Sequence, residues 1–199
     1  MSHFNQAANS WDTPDKIRQS ENYGKKIKYF LPKNSPLKIL EIGCGTGLLG
    51  SQFVENHNQL IGIDTSSGML EIFNQKFKSF ENTKGLLLNL ETDTLEESNF
   101  DLVISSMAFH HLKSPIDILK KVKGLLKNNA RIAIIDLDQE DGSFHPDPAN
   151  MGVYHFGFSE DQLNLWAKEA GLKFIGRSIV NTISKNDKSY PIFLAIFSN

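Results

Sequence analysis

The stretch Leu40-Glu41-Ile42-Gly43-Cys44-Gly45-Thr46-Gly47 places the tightest limit on how this chain can fold. Ahead of it, Pro36 punctuates the chain and Leu37-Lys38-Ile39-Leu40 reads as a short apolar strand. Behind it, Leu48, Leu49, Gln52, Phe53 and Val54 recur at roughly helical spacing. The glycines therefore fall on an expected strand-to-helix turn. Glycine accepts backbone angles that a side chain forbids, and it lets a ligand approach where a Cβ would clash. A helix start would add free N–H groups.

Two nucleotide-type ligands compete for such a turn. The dinucleotide fingerprint is G-x-G-x-x-G, with a pyrophosphate on the helix N-terminus. Here the spacing is G-x-G-x-G, and Glu41 stands two residues before the first glycine. A carboxylate there suits a phosphate-free ligand with a cationic end better than a pyrophosphate. Asp64 follows Gly43 by 21 residues and closes the strand-like run Leu60-Ile61-Gly62-Ile63. An acid at that distance suits a ribose hydroxyl pair, because its two oxygens can each accept from one hydroxyl. Its plainer role would be a helix cap.

At these residues the chain resembles the class I S-adenosylmethionine-dependent methyltransferases. Glu41 to Gly47 is similar to motif I of that family, and four further landmarks follow in family order. The resemblance implies that Glu41, Gly43, Cys44, Gly45 and Gly47 line the S-adenosyl-L-methionine site. It implies that Asp64, with Thr65 beside it, takes the ribose, and that Met69 contacts the adenosine. Core packing is an equal alternative for Met69. Most relatives in the family carry an aspartate for the adenine amine. Counting back eleven residues from Phe100 puts Asn89 at that place. An Asn oxygen can still accept, but a neutral bond is weaker than a charged one. Asp93 is the rival, four residues later. Leu90 would offer apolar surface to the ring. Phe100-Asp101-Leu102-Val103 running on to His110-His111-Leu112 is similar to another family landmark, in which backbone near Ser105 holds the methionine part. Phe4 to Asp12 resembles the F-x-x-x-A-x-x-W-D opening of small-molecule methyltransferases, whose N-terminal segment folds over the cofactor cleft. Trp11 would then cover the cofactor, or else simply pack the first helix on the domain.

Length and charge narrow the class further. A chain of 199 residues suits one domain with a full core. A formal charge of −2 exerts no general pull on nucleic acid or an anionic membrane. No apolar run approaches the roughly 18 residues of a membrane span. Met1 to Gln6 lacks the basic and apolar regions of a signal peptide, and the one cysteine, Cys44, cannot form an internal disulfide. These readings point to the cytoplasm.

Element signals give a β-α alternation ending in two strands. Lys16 to Arg18 and Ile27 to Leu31 read as pieces of amphipathic helix, the second ended by Pro32. Ser66 or Ser67 caps a helix running to about 80. Lys84 to Leu88, Phe100 to Ile104 and Ala130 to Asp138 read as strands. Between the last two, Pro115 opens a helix with Ile116, Leu119, Val122, Leu125 and Leu126 on one stripe. Lys120, Lys121, Lys123 and Lys127 flank it as a solvated face rather than a nucleic-acid patch. A helix from Ser159 to Ala170 stops at Gly171, and strands 172–180 and 190–197 close the chain as a hairpin. The expected fold is a Rossmann-like, doubly wound α/β domain over residues 1–199. Its seven-stranded sheet is mainly parallel with one antiparallel strand, and helices cover both faces. Residues 1–33 would form a helical cap, and 139–158 a long substrate-side loop on the cofactor side of the sheet.

The function this implies is methyl transfer from S-adenosyl-L-methionine to a small-molecule acceptor. A sulfonium is already a good leaving group, so the enzyme's task is alignment and exclusion of water. A general base is needed only where the acceptor must lose a proton. His110, His145 and His155 are the candidate residues on the acceptor side, with His111 beside them; structural hydrogen bonding is their commoner use. No spacing among Asp141, His145, Asp147 and His155 matches a metal-ligand pattern, so no metal is expected. Methylation of protein or RNA, and cofactor binding without catalysis, are the alternatives; a nicotinamide dehydrogenase is disfavoured by the glycine spacing behind Glu41. Oligomeric state is not written in the sequence.

Overall fold

The computed structural model describes residues 3–31, 36–55 and 57–199. Pro32, expected to stop the second helical piece, lies outside them. The chain begins with α1 (His3–Ala7), a 3₁₀ turn at Ala8–Ser10, and α2 (Pro14–Lys28). The first amphipathic piece expected lies inside α2, opened by Pro14 and by Thr13, whose hydroxyl accepts from the Lys16 N–H. Of the second, Ile27 to Leu31, only Ile27 and Lys28 are helical, and Tyr29 to Leu31 form the turn that ends α2.

The sheet is built from β1 (Lys38–Ile42), β2 (Gln59–Asp64), β3 (Thr83–Leu87), β4 (Phe100–Ser106), β5 (Leu126–Leu137), β6 (Lys173–Lys185) and β7 (Lys188–Ser198). Its order is β3-β2-β1-β4-β5-β7-β6. The first five strands run parallel, and β7 lies antiparallel between β5 and β6. The expected mainly parallel sheet with one reversed strand is what forms. Strand alternation sends side chains to two separate cores. Leu40, Ile42, Val103, Ile132 and Ile134 face one core, which is covered by α4 (Pro115–Leu125) and α5 (Glu160–Ala170). Ile39, Leu102, Ile104, Ala133 and Ile135 face the other, covered by α2 and α3 (Ser67–Lys76).

Local signals set several boundaries. Ser66 caps α3 by accepting from Met69 N–H at 3.2 Å. Ser159 caps α5 by accepting from Gln162 N–H at 3.2 Å, and Gly171 ends α5 at a left-handed φ of 66°. The β6–β7 hairpin turns on Asn186 and Asp187, both at positive φ (52° and 58°), as a two-residue loop demands. Helix α3 ends at Lys76, short of the expected 80. Strand β5 starts at Leu126, four residues before Ala130, and its pairing with β4 is broken by an irregularity that contains Asn129 at φ 62°.

The main departure follows Gly47. No α-helix forms there; the chain makes only a four-residue 3₁₀ turn, Gly50–Phe53. Glu41 explains it. Its Oε1 accepts the Gly50 N–H at 3.1 Å, so that peptide group is diverted from a helical ladder. Gly47 and Gly50 are also weak helix formers. The glycine turn therefore ends in a loop rather than at a helix N-terminus. No helix among the described residues is long and apolar enough to cross a membrane.

Candidate functional site

The chain leaves β1 towards β2 on one side, while β4 pairs on the other side of β1. A crevice at the carboxyl ends of β1 and β4 is the expected ligand position in such a sheet. Gly43 and Ala108 meet there. A Cβ on Gly43 would lie 2.4 Å from the Ala108 Cβ, and Gly43 sits at φ 64°. Only glycine satisfies both the conformation and the approach. Gly45 and Gly47 are also at positive φ, 52° and 79°. A Cβ on Gly45 would touch only Met69 Sδ, at 4.0 Å, whereas one on Gly47 would collide with Phe77 and Phe73. Gly45 is thus the open position of the turn and Gly47 the packed one.

Two carboxylates brace this turn. Asp64, at the end of β2, accepts from Gly45 N–H and from Ser66 N–H, both at 2.8 Å. Burial raises its pKa, and the N–H groups of Ser66, Gly45 and Thr65 oppose that rise. Glu41 is buried, and its Oε2 has no hydrogen-bond partner. Burial pushes its pKa up to about 8, against the Gly50 N–H and the Lys76 charge, which lower it; the Asp64 charge adds to the rise. Cys44 donates its N–H to Ile63 O at 3.0 Å and turns its thiol into the core beside Gly62 and Phe73. Burial lifts that thiol well above its ordinary value, with Glu41 and Asp64 adding to the effect.

The other expected cofactor residues divide in two. Met69 is buried beside Gly45, Thr65 is exposed at the mouth of the turn, and Ser105 donates its hydroxyl to Ile42 O at 2.8 Å, tying β4 to β1. Asn89 and Asp93 belong to one tight turn. Asn89 N–H donates to Asp93 Oδ2 at 2.8 Å, and Asn89 Oδ1 accepts from Glu91 N–H at 3.0 Å. Leu90 packs into the core with Leu95 and Phe100.

The N-terminal segment straps across these loops. Asn5 Oδ1 accepts from Ser66 Oγ at 2.6 Å and from Gly68 N–H at 3.0 Å. Asp12 accepts from the buried Thr46 hydroxyl and pairs with Lys76 at 2.8 Å. Trp11 stacks edge-on with Phe4 and lies under the Lys16 ammonium, 3.3 Å from its ring centre. Phe4 in turn meets the His111 ring at 5.2 Å.

A histidine group sits beyond Ala108. His110 is buried, with Nδ1 2.7 Å from Asp136 Oδ1 at the end of β5. A carboxylate only accepts, so Nδ1 carries a proton, and in the neutral ring Nε2 keeps its lone pair. That Nε2 is buried with no partner. His111 Nδ1 lies 2.9 Å from Gly152 O, and His145 stacks 5.0 Å from His110. Burial is the main cause that lowers His111 and His145 to about 4, and the neighbouring histidines add to it. The loop 139–158 folds onto this group: Tyr154 and His155 N–H both donate to His110 O, at 2.9 and 3.2 Å. His155 itself turns away. Its ring packs on Phe158, and its Nε2 is buried without a partner. Lys185 and Lys188 hold the front of the loop through Phe144 O and Asp141.

The lysine run around α4, read as a solvated face, is engaged with the chain itself. Lys121 donates to Leu90 O and Glu91 O, Lys123 to Gly171 O and Lys127 to Asp101. Sequence reasoning quoted Asp12 and Thr46 as members of motifs but gave them no role, and it missed Asp136, whose one signal is a carboxylate closing the apolar run Ile132-Ala133-Ile134-Ile135. It also found no metal-ligand pattern, yet the fold brings ligand atoms of His110, His111 and His145 within 4.8 Å of one another.

Comparison with known proteins adds an independent line. A family model described as a methyltransferase domain matches residues 40–132. An uncharacterised methyltransferase of Schizosaccharomyces pombe is 34% identical over 75% of this chain and 59% of its own length. A malonyl-[acyl-carrier protein] O-methyltransferase of Marinomonas is 29% identical over 58% of this chain and 43% of its own. A tRNA U34 carboxymethyltransferase of Pseudoalteromonas atlantica is 32% identical over 68% and 44%. The chain thus spans about three fifths or less of these relatives. Among solved structures, an S-adenosylmethionine-dependent methyltransferase from Aquifex aeolicus superposes with a TM-score of 0.69 at 20% identity, covering 96% of this chain and 97% of that one.

Proposed function

The chain carries a methyltransferase domain of the class I S-adenosylmethionine-dependent family, and we propose that it transfers a methyl group from that cofactor to a small-molecule acceptor. The observation that carries this reading is the turn Gly43–Gly47. Three positive-φ glycines there lie between the buried Glu41 carboxyl and the half-buried Asp64 carboxyl, at the carboxyl edge of β1 and β2. An unpartnered buried carboxyl oxygen suits a cationic ligand group, and the open Cβ space at Gly45 suits close approach of a ligand to the backbone.

In this reading Glu41 faces the positive end of the cofactor and Asp64 the ribose. Met69 and Asn89 flank the adenine, and backbone near Ser105 lies along the methionine part. The α1–Trp11 strap closes over them and excludes water. The bound cofactor supplies an activated methyl group. The chain's own work is to place the acceptor in line with it and, where the acceptor must lose a proton, to take it. His110 Nε2, held by Asp136, is the group equipped for that proton. His145 comes to it with the 139–158 loop and lines the acceptor side. His155 would steady the same loop through its backbone.

A small acceptor is favoured by the charge of −2 and by Lys121, Lys123 and Lys127 being spent on carbonyls and Asp101. The relative that acts on malonyl-[acyl-carrier protein] supports it, whereas the tRNA-modifying relative supports an RNA acceptor. Calorimetric titration with S-adenosylmethionine, with NAD as control, tests the cofactor. Micromolar binding that Asp64→Ala weakens by more than about 1 kcal/mol is expected. Absence of heat with S-adenosylmethionine would sink the reading. Transfer of labelled methyl to small carboxylates, amines and thiols, set against bulk tRNA, then separates the acceptors. Binding without any turnover would favour a non-catalytic role.

A further inference from the structure

We propose that His110, His111 and His145 form a binding site for one divalent transition-metal ion of the zinc, cobalt and nickel kind. Each offers a ring nitrogen, and the three lie within 4.8 Å of one another. Imidazole nitrogens suit these borderline ions, whereas magnesium and calcium require oxygen ligands, which this set lacks.

The orientation of the rings gives the second observation. His110 spends Nδ1 on Asp136 at 2.7 Å, which leaves Nε2 buried, without a partner and, in the neutral ring, with its lone pair free. A carboxylate behind a histidine is the usual way to aim and hold a metal-ligating ring. His111 spends Nδ1 on the Gly152 carbonyl at 2.9 Å, which can only accept, so its Nε2 is also a free lone pair. Two adjacent histidines thus each have one ring nitrogen fixed by a different acceptor and the other left over. His145 comes from the loop, with its ring 5.0 Å from His110 and 5.8 Å from His111.

Metal–nitrogen bonds of about 2.0–2.1 Å place tetrahedral ligand atoms roughly 3.4 Å apart. The set must close by about an ångström to reach that spacing. His145 is partly exposed on a loop and can turn without disturbing the sheet. Three protein nitrogens leave a fourth position for water or for an oxygen or nitrogen of a second ligand. An ion here would join three separate pieces of the fold: the turn after β4, the 139–158 loop, and the N-terminal strap that reaches His111 through Phe4. The ion would take the same His110 Nε2 lone pair that proton transfer would use, so the metal-bound and proton-accepting states of His110 exclude each other; the ion-binding test itself does not depend on methyl transfer.

The test uses the 199-residue, tag-free chain, stripped with a chelator and titrated with cobalt(II) chloride. The expected result is one ion per chain, with the strong visible absorption of low-coordinate cobalt that zinc then displaces. His145→Ala should weaken binding by more than about 100-fold, and Asp136→Asn by about 10- to 100-fold at unchanged stoichiometry. The exposed His57→Ala should change nothing. Circular dichroism and melting of His145→Ala check that the loss is of a ligand and not of the fold; His111→Ala serves if it is not. No saturable cobalt binding, or binding that survives both His145→Ala and His111→Ala, would overturn the site.

Discussion

His110 Nδ1 and Asp136 Oδ1 lie 2.7 Å apart, both side chains buried, across a separation of 26 residues. Asp136 also accepts from Leu137 N–H at 2.7 Å and from His110 N–H at 3.3 Å. One carboxylate thus serves three N–H groups in a place water does not reach. Asp136→Ala strips them all and should destabilise the chain by about 3 kcal/mol, since each unsatisfied buried donor carries its own penalty. Urea unfolding at constant m-value measures it. A loss under about 1 kcal/mol would mean the pair is not the brace described.

Asp12 reaches across to Thr46 on the glycine turn and Lys76 on α3. It is the residue that fastens the strap to the turn from the outside. Asp12→Ala should cost only about 1 kcal/mol of global stability, because the ion pair is partly exposed. Its larger effect should be local: faster hydrogen exchange at Thr46 and Gly47, and weaker cofactor binding without change in the melting profile of the sheet. Equal exchange in the two proteins would count against the strap.

These two contacts also show where sequence reading stops. Ser159, Gly171 and Ser66 act on neighbours within a few residues, so local chemistry names them in advance. The glycine turn and Asp64 are legible because only glycine tolerates that geometry and because their spacing spans one β-to-β crossover. Asp12 with Thr46, Asp136 with His110, and His145 with His110 depend on which strand lies beside which. Nothing local to those residues encodes the partner. The lost helix after Gly47 fails for a related reason. Apolar spacing favoured it, but a carboxylate nine residues away in sequence claimed the Gly50 N–H.

Cys44 offers a clean probe of folding. It is the one cysteine of the chain, it is buried, and burial with two nearby carboxylates raises its thiol pKa well above the ordinary value. Both accessibility and thiolate fraction are therefore low in the native state. At pH 8, reaction with iodoacetamide should be slower than for the denatured chain by orders of magnitude. Its rate should rise as folding stability falls across a urea series. Fast labelling in native buffer would show that the glycine turn opens independently of the fold.

Glu41 makes stability depend on pH in a direction opposite to most carboxylates. Its folded pKa is raised to about 8 from 4.5. Between those values the folded chain holds a proton that the unfolded chain has released. Stability from this group is full below about pH 4.5 and declines as pH rises towards 8, by up to roughly 1.4 kcal/mol per pH unit. Glu41→Gln keeps an oxygen for the Gly50 N–H and removes the titration, so the difference in stability between wild type and variant should change with pH across this window. A cationic group of the cofactor beside Oε2 would discharge the carboxyl. Binding of S-adenosylmethionine at pH 7 should then release close to one proton from wild type and none from Glu41→Gln, measured by calorimetry in buffers of different ionisation enthalpy. Equal proton release in the two proteins would remove Glu41 from the cofactor's charge balance and leave it as a brace for Gly50 alone.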